Sequence, residues 1–366
     1  MGNKQQGKEK KQKAKINVKL IFLTFLVLAL ILLVYFGIGF RYWTVVKDTV
    51  RKHIVENQID KNLEACEFNG MILVAKDGKI IFSRGCGNVN GEESREIDAD
   101  TVFPIFSLTK QFTGYAFLQL EKEGKVDRKD KLSKYFKDCK YGDEVTLEEL
   151  LKMTSGIPEY MEDVEEDARI NGMDRQDILN IILNYDLVDK GKYAYSNSNY
   201  FLIGCIIEQV TQMPYEQYIQ YNVIAPSGMG SVGYDPQIAQ TVGYDSANLQ
   251  NTDNKEYHSS VTFSAGEICT SAINLYRWQN FLYSEDSIED FASFSNNSEG
   301  ENYNFGLVKY GDYYGHTGGG IYHRHCIQYN TATNTQVIVL SNYSHCDANA
   351  ISQMVEQLLF KYYEGE

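Results

Sequence analysis

The 366-residue chain reads as an α/β protein behind a single transmembrane helix. One antiparallel sheet is built from both chain ends, flanked by helices and interrupted by a mostly helical insert. Three observations predict this. An Asp77-Gly78 turn joins two β-rich runs early in the chain. Strand-like alternation returns only after Phe305, and the stretch between, roughly 125–285, spaces its apolar residues as helices do. The anchor is predicted by Leu20 to Phe40, 21 residues without a charge, the length a bilayer-spanning helix needs.

Residues 1–19 carry seven lysines and one glutamate, a net of +6 against −14 for the whole chain. Positive charge beside a first span holds that end in the cytoplasm, so the acidic remainder is expected outside the cell. The apolar run ends in the aromatic-rich stretch Phe36 to Trp43, an interface anchor, and is longer than the apolar core of a cleaved secretory signal. The expected organisation is a basic cytoplasmic tail over 1–19, a transmembrane helix over 20–40, a helical linker over 41–67 and one folded domain over 68–366. An acidic ectodomain argues against nucleic-acid partners. The seven cysteines have no metal-ligand spacing, no cofactor is implied, and their pairing is not readable from sequence.

Within the linker, Val46, Val50, Ile54 and Ile59 make an amphipathic stripe. Met71–Lys76 and Lys79–Phe82 flank the Asp77-Gly78 turn as a hairpin. Ser107 to Lys122 is expected as a helix, with Phe112, Ala116 and Leu120 on one stripe and Gly124 just beyond its end. Thr146-Leu147-Glu148-Glu149 is a capping pattern for a helix running to Met153. Tyr200–Val210 and Ser271–Tyr283 read as apolar helices. Strands are expected at Phe305–Tyr310, Tyr313–His316, His325–Tyr329 and Thr335–Ser341, then a closing amphipathic helix at Ala348–Tyr363. The polar stretch 284–303 reads as a surface loop.

Chemistry concentrates at Ser107-Leu108-Thr109-Lys110. Residues i and i+3 share a helix face, so the Lys110 amine lies within reach of the Ser107 hydroxyl, and a serine becomes nucleophilic when a neighbouring base takes its proton. Taken singly, Ser107 reads better as an ordinary helix cap, and such a tetrapeptide arises about once by chance in a chain this rich in serine. Yet no other serine here has a lysine three residues on. Tyr195-Ser196-Asn197 and His316-Thr317-Gly318 follow it in that order.

Supporting stretches are Met71 to Lys79, Leu150 to Pro158, Pro226-Ser227-Gly228-Met229 and Ser264-Ala265-Gly266. With these the chain, from about 68 to 364, resembles the serine β-lactamase/penicillin-binding protein superfamily. The branch is that of class C β-lactamases, D,D-carboxypeptidases and related esterases and D-aminopeptidases. The resemblance implies that Ser107 attacks a carbonyl to form an acyl-enzyme. Lys110 eases removal of the hydroxyl proton, either as a neutral amine or as a cation favouring a tyrosinate, and Tyr195 passes a proton to the leaving group. Asn197, His316, Thr317, Gly318 and Gly319 bind substrate, with the backbone N–H groups of Ser107 and Gly319 as an oxyanion hole. It implies amide or ester cleavage of a small peptide, ester or cell-wall peptide, D-amino-acid peptides among them.

Departures from the family pattern narrow the substrate. His316 stands in the slot of a lysine that helps bind the substrate carboxylate. With an unperturbed pKa near 6.5 it is mostly neutral at pH 7, which favours esters, amides or peptides over β-lactams. Met153 stands where histidine is common, and Glu267 replaces a glycine, where it is expected to approach the site and disfavour anionic ligands. The alternative from another class is a catalytically idle cell-wall peptide-binding or sensor protein on the same fold. Intact Ser107, Lys110 and Tyr195 argue against it. Metal-dependent hydrolysis lacks a ligand cluster, since His316, His323 and His325 have no acidic partner at helical spacing.

Overall fold

A computed structural model describes residues 2–90, 95–245, 256–284, 295–296 and 302–363. The chain divides into two compact units, Met1–Asn62 with Leu358–Glu366, and Leu63–Gln357. Helix α1 (Gly2–Ala65), most of it in the first unit, runs on beyond its apolar stretch through residues 41–65, which hold no glycine or proline. From Phe25 it is long and apolar enough to cross a membrane, with a mean hydropathy of 2.1. Phe22, Phe25, Tyr35, Phe36 and Trp43 are all largely exposed along it. Exposed apolar surface on this scale is unfavourable in water.

The second unit holds, in order, β1 (Gly70–Lys76), β2 (Lys79–Cys86), β3 (Val102–Pro104), a 3-10 turn (Phe106–Thr109), α2 (Lys110–Lys122), α3 (Leu147–Leu151), α4 (Glu166–Asn171), α5 (Arg175–Leu183), α6 (Asn197–Thr211), α7 (Tyr215–Ile219) and α8 (Ser259–Thr262). Then come β4 (Cys269–Ser271), α9 (Ala272–Ser284), β5 (Ser295–Asn296), β6 (Asn302–Asn304), β7 (Leu307–Tyr310), β8 (Tyr313–Gly319), β9 (Arg324–Asn330) and β10 (Thr335–Ser341), with α10 starting at Ala348. The main sheet runs β2-β1-β10-β9-β8-β7-β6-β5, and β3 pairs with β4 in a second small sheet. β1 lies antiparallel to β10 from Gly70 opposite Ser341 to Lys76 opposite Thr335. The sheet therefore joins the two ends of the domain, as the sequence predicts. Met71 through Ala75 are buried without alternation, the mark of a central strand covered on both faces.

On one flank of the sheet, α2 buries Phe112, Ala116 and Leu120 completely. Phe112 meets Trp278 of α9 with ring centres 4.4 Å apart, an aromatic contact that adds about 1 kcal/mol to its area burial. This packing fixes α2 as a rigid platform, and the turn that opens it carries Ser107.

Several boundaries depart from expectation for local reasons. The helix expected from Ser107 opens as a 3-10 turn, and α geometry begins only at Lys110, because Phe106 is held left-handed at φ +46°. α3 opens on the reciprocal Thr146–Glu149 capping box but stops at Leu151, with Met153 turning at φ +56°. The strand expected over 305–310 starts at Leu307, since Phe305 and Gly306 turn the chain with φ of +50° and +76°. A Cβ on Gly306 would lie 2.3 Å from the Lys110 carbonyl carbon, so only glycine fits this approach to α2. β8 extends to Gly319, beyond the expected end at His316. The loop expected over 284–303 falls largely outside the described residues; within it, Ser295–Asn296 and Asn302–Asn304 are strands.

Candidate active site

Ser107 sits in the 3-10 turn between two close approaches of backbone. Behind it, Phe106 is left-handed, which a bulky residue adopts only when its surroundings impose it. Its ring stacks on His325 at 6.3 Å and meets Tyr257 edge-on at 6.5 Å. A Cβ on Gly320 would fall 2.2 Å from that ring. In front, β8 crosses the turn so closely that a Cβ on Gly318 would lie 2.4 Å from the Ile105 carbonyl oxygen. Gly318 and Gly320 are thus required by packing as well as by access, whereas a Cβ on Gly319 would meet nothing nearer than 4.0 Å.

Lys110, one turn on, is completely buried. Its Nζ stands 3.0 Å from Ser107 Oγ, 2.7 Å from Asn197 Oδ1 and 2.9 Å from the Ala265 carbonyl oxygen. The Tyr195 hydroxyl donates to Ser107 Oγ at 2.8 Å. Lys110 Nζ also lies 5.0 Å from the centre of the Tyr195 ring. Asn197 is the first residue of α6, and the Ser196 backbone before it is extended, which swings Tyr195 toward the serine. Lys110 and Tyr195 therefore meet at the hydroxyl of Ser107, which lies 88 positions from Tyr195 in the chain.

Burial lowers the Lys110 amine from its ordinary 10.5 to about 7, and the Glu159 carboxylate partly opposes that fall. Tyr195 moves the other way. Its surroundings push the phenol well up, and its hydrogen bond to Ser107 offsets part of this. Since Tyr195 keeps 39% of its surface exposed, solvent damps that push. The phenol stays protonated at neutral pH in either case.

Ser107, Asn197, Ala265, Gly266 and Gly319 line one small pocket of about 50 Å³, with Phe106, Tyr160, Met161 and Tyr257 among its walls. Among the described residues no lysine or arginine belongs to that lining. His316 stands close by, its ring centre 6.0 Å from that of Tyr195, but both its nitrogens are engaged. Nδ1–H donates to the Thr317 carbonyl oxygen at 2.5 Å, and Nε2 accepts from the Tyr303 hydroxyl at 3.1 Å. Burial, then the nearby Lys110, lowers its pKa to about 3, so it is neutral throughout the physiological range. The intrinsic histidine pKa anticipated a mostly neutral group; burial makes it fully so. Thr317 is exposed and lines a separate cavity of about 290 Å³ with Cys326, Gln328 and Asn349. Glu267, expected to approach the serine, is not in the lining of the Ser107 pocket and faces a different cavity.

Sequence reasoning missed two carboxylates. Glu159 accepts the Asn197 backbone N–H at 2.6 Å and its side-chain N–H at 2.9 Å, which orients the amide that holds Lys110. Its signal was only its place after Pro158 in a stretch already singled out. Glu256 is buried and pins the turn after Gly319, accepting from Ile321 N at 2.8 Å, Tyr322 N at 2.9 Å and His323 Nδ1 at 2.8 Å. It stands 67 positions from His323, so no local pattern announced the pair.

The family model described as Beta-lactamase matches residues 55–356. The chain belongs to the beta-lactamase family. Among curated relatives of this beta-lactamase-family chain is the "Putative penicillin-binding protein PbpX" of Bacillus subtilis (strain 168), 29% identical over 256 residues, 65% of this chain and 62% of the relative. Protein flp of Staphylococcus aureus (strain N315) is 30% identical over 221 residues, 57% of this chain and 41% of the relative. The chain thus spans less than two thirds of the length of these relatives. The same fold occurs in the octameric penicillin-binding protein homologue from Pyrococcus abyssi, with a TM-score of 0.73, 24% identity, and coverage of 84% of this chain and 77% of that one. Other beta-lactamase-family members are serine hydrolases.

Proposed function

We propose that the protein is a membrane-anchored serine hydrolase whose domain works outside the cell, cleaving amide or ester bonds through an acyl-enzyme at Ser107. Cell-wall peptides containing D-amino acids and small esters are its substrate class. The observation that carries this reading is the buried Lys110 amine 3.0 Å from Ser107 Oγ. A neutral amine has two N–H bonds and one lone pair. Asn197 Oδ1 and the Ala265 carbonyl take the two N–H bonds, which leaves the lone pair for the Ser107 hydroxyl proton. With the amine near 7 and the phenol raised, the base is neutral Lys110, and Tyr195 acts as a proton-donating phenol.

In this mechanism Ser107 Oγ attacks the carbonyl carbon as its proton passes to Lys110 Nζ. The backbone N–H groups of Ser107 and Gly319, which share the pocket, receive the oxyanion. Tyr195 hands its proton to the leaving nitrogen or oxygen and recovers one from Lys110; deacylation by water runs the same path in reverse. Asn197 holds both Lys110 and the substrate amide, and Glu159 fixes Asn197. The anchor rests on α1, whose apolar stretch matches a membrane span.

Among the described residues the pocket lining has no cationic side chain, and His316 is neutral with both nitrogens used. A substrate carboxylate therefore finds no counter-charge among these described lining residues. We expect a p-nitrophenyl ester and a D-alanyl peptide amide, neither with a carboxylate, to be turned over faster than nitrocefin, measured side by side. Nitrocefin as the fastest of the three overturns the substrate assignment, and no turnover of any overturns the hydrolase reading.

The pH profile is a second check. A base lowered to about 7 is unprotonated above that pH, so kcat/KM for the ester should rise through pH 7 and level off. The Glu159 charge raises the Lys110 pKa. Glu159→Gln, which keeps an oxygen for Asn197, should therefore move the acidic limb to lower pH. An unmoved limb means Glu159 acts only as a brace.

A further inference from the structure

A second and larger cavity, of about 810 Å³, opens between α5, α6 and the segment after α8. Sites for small organic ligands span roughly 300–1000 Å³. It shares a wall with the Ser107 pocket. Ala265 and Gly266 line the pocket, while Phe263 and Glu267 line the cavity. The Ala265 carbonyl that holds Lys110 belongs to this wall.

Four carboxyl groups, Asp174, Glu208, Glu216 and Glu267, line the cavity against one guanidinium, Arg175. Arg175 is already committed. Its Nη1 donates to Glu208 Oε1 at 3.2 Å, and its guanidinium lies 4.1 Å from the centre of the Phe263 ring. Asp174 is occupied in capping α5, accepting from Gln176 N at 2.7 Å. Glu267 is different. It is 2% exposed, and its carboxyl makes one hydrogen bond among the described residues, Oε1 accepting from Ser264 N at 2.9 Å. A buried acid without a counter-charge is costly to keep. Burial accordingly drives the carboxyl of Glu267 far above the usual range, Glu216 and Glu208 add to the rise, and Ser264 N–H and the already paired Arg175 only partly oppose it.

We propose that this cavity binds a small organic cation, an ammonium or guanidinium compound, with Glu267 as the buried counter-charge and the less buried Glu216 as a second contact. An anion would meet four carboxyl groups. A neutral ligand would bring no positive charge to offset the excess of carboxyl groups over the single Arg175 guanidinium. The proposal goes beyond the hydrolase reading and stands without it, since no step involves Ser107.

The test uses agmatine, an alkylamine with a guanidinium at one end, titrated calorimetrically into the full chain in detergent and into its Ser107→Ala variant. One saturable site is expected in both. Glu267→Gln should weaken it tenfold or more, and Glu216→Gln several-fold. Binding ionises Glu267 and releases its proton to the buffer, so the heat should vary with the ionisation enthalpy of the buffer. Succinate, an anion of similar length, should not bind. The Glu216 variant alters a half-exposed position and keeps the test decisive if the buried one does not fold. The proposal falls if agmatine does not saturate at millimolar concentration, if both glutamine variants bind as the parent does, if succinate competes, or if a fluorophosphonate adduct on Ser107 blocks binding.

Discussion

Ser107→Ala is expected to lower ester turnover by about 10⁴-fold or more, the scale seen when a covalent nucleophile is removed and only the oxyanion site and binding remain. The geometry explains why nothing substitutes for it. Lys110 Nζ and the Tyr195 hydroxyl both converge on the Ser107 oxygen, at 3.0 and 2.8 Å. Deleting that oxygen leaves a base and an acid with no nucleophile between them. Thr109 and Ser264 are nearby hydroxyl residues, but both are fully buried and otherwise bonded, to Ile268 N at 3.2 Å and to the Tyr200 carbonyl at 2.9 Å. Intact mass after fluorophosphonate treatment should show one adduct on the parent chain and none on the variant. An adduct that persists in Ser107→Ala sinks the assignment of the nucleophile.

Lys110→Met comes next, with an expected loss of about 10³-fold in kcat/KM, within the range general-base catalysis contributes. Methionine preserves length and apolar volume but offers neither a lone pair nor N–H donors to Asn197 Oδ1 and the Ala265 carbonyl. A second readout separates charge from packing. In the parent chain the folded amine releases its proton near 7, whereas the unfolded chain keeps it to about 10.5. A folded pKa below the unfolded one means that the unfolded state binds more protons between these values. Stability should therefore rise with pH across that window, by at most about 1.4 kcal/mol per pH unit. The methionine variant should lack that rise in denaturant titrations at pH 7, 8 and 9. A parallel rise in both chains would show that the slope comes from other groups.

Much of this was legible in the sequence because the signals were local or periodic. The hairpin at Asp77-Gly78, the capping box at Thr146 and the strand Thr335–Ser341 are written in neighbouring residues, and the structure has each of them. The order of the three motifs carried the family resemblance. What escaped notice depends on contacts that spacing cannot encode. The left-handed Phe106 is imposed by His325, Tyr257 and Gly320, so a helix expected from Ser107 begins three residues later. Glu159 reaches Asn197 across 38 positions, and Glu256 reaches His323 across 67. Glu267 was read as facing the serine because it follows Ala265-Gly266, yet it lines the cavity on the other side of that wall.

The pairing of β1 with β10 has a consequence for how the protein is made. Bringing Lys76 beside Thr335 closes a loop of roughly 260 residues, at an entropic cost of about 5 kcal/mol. β8, whose Gly318 and Gly319 wall the serine, is held by β9, and β9 is held by β10. While the chain is still emerging, residues 70–319 can gather helices but cannot complete the sheet that backs the serine. Assembly of the nucleophile's surroundings thus waits for the last strand, and a chain cut short before Ser341 should leave the ribosome inert.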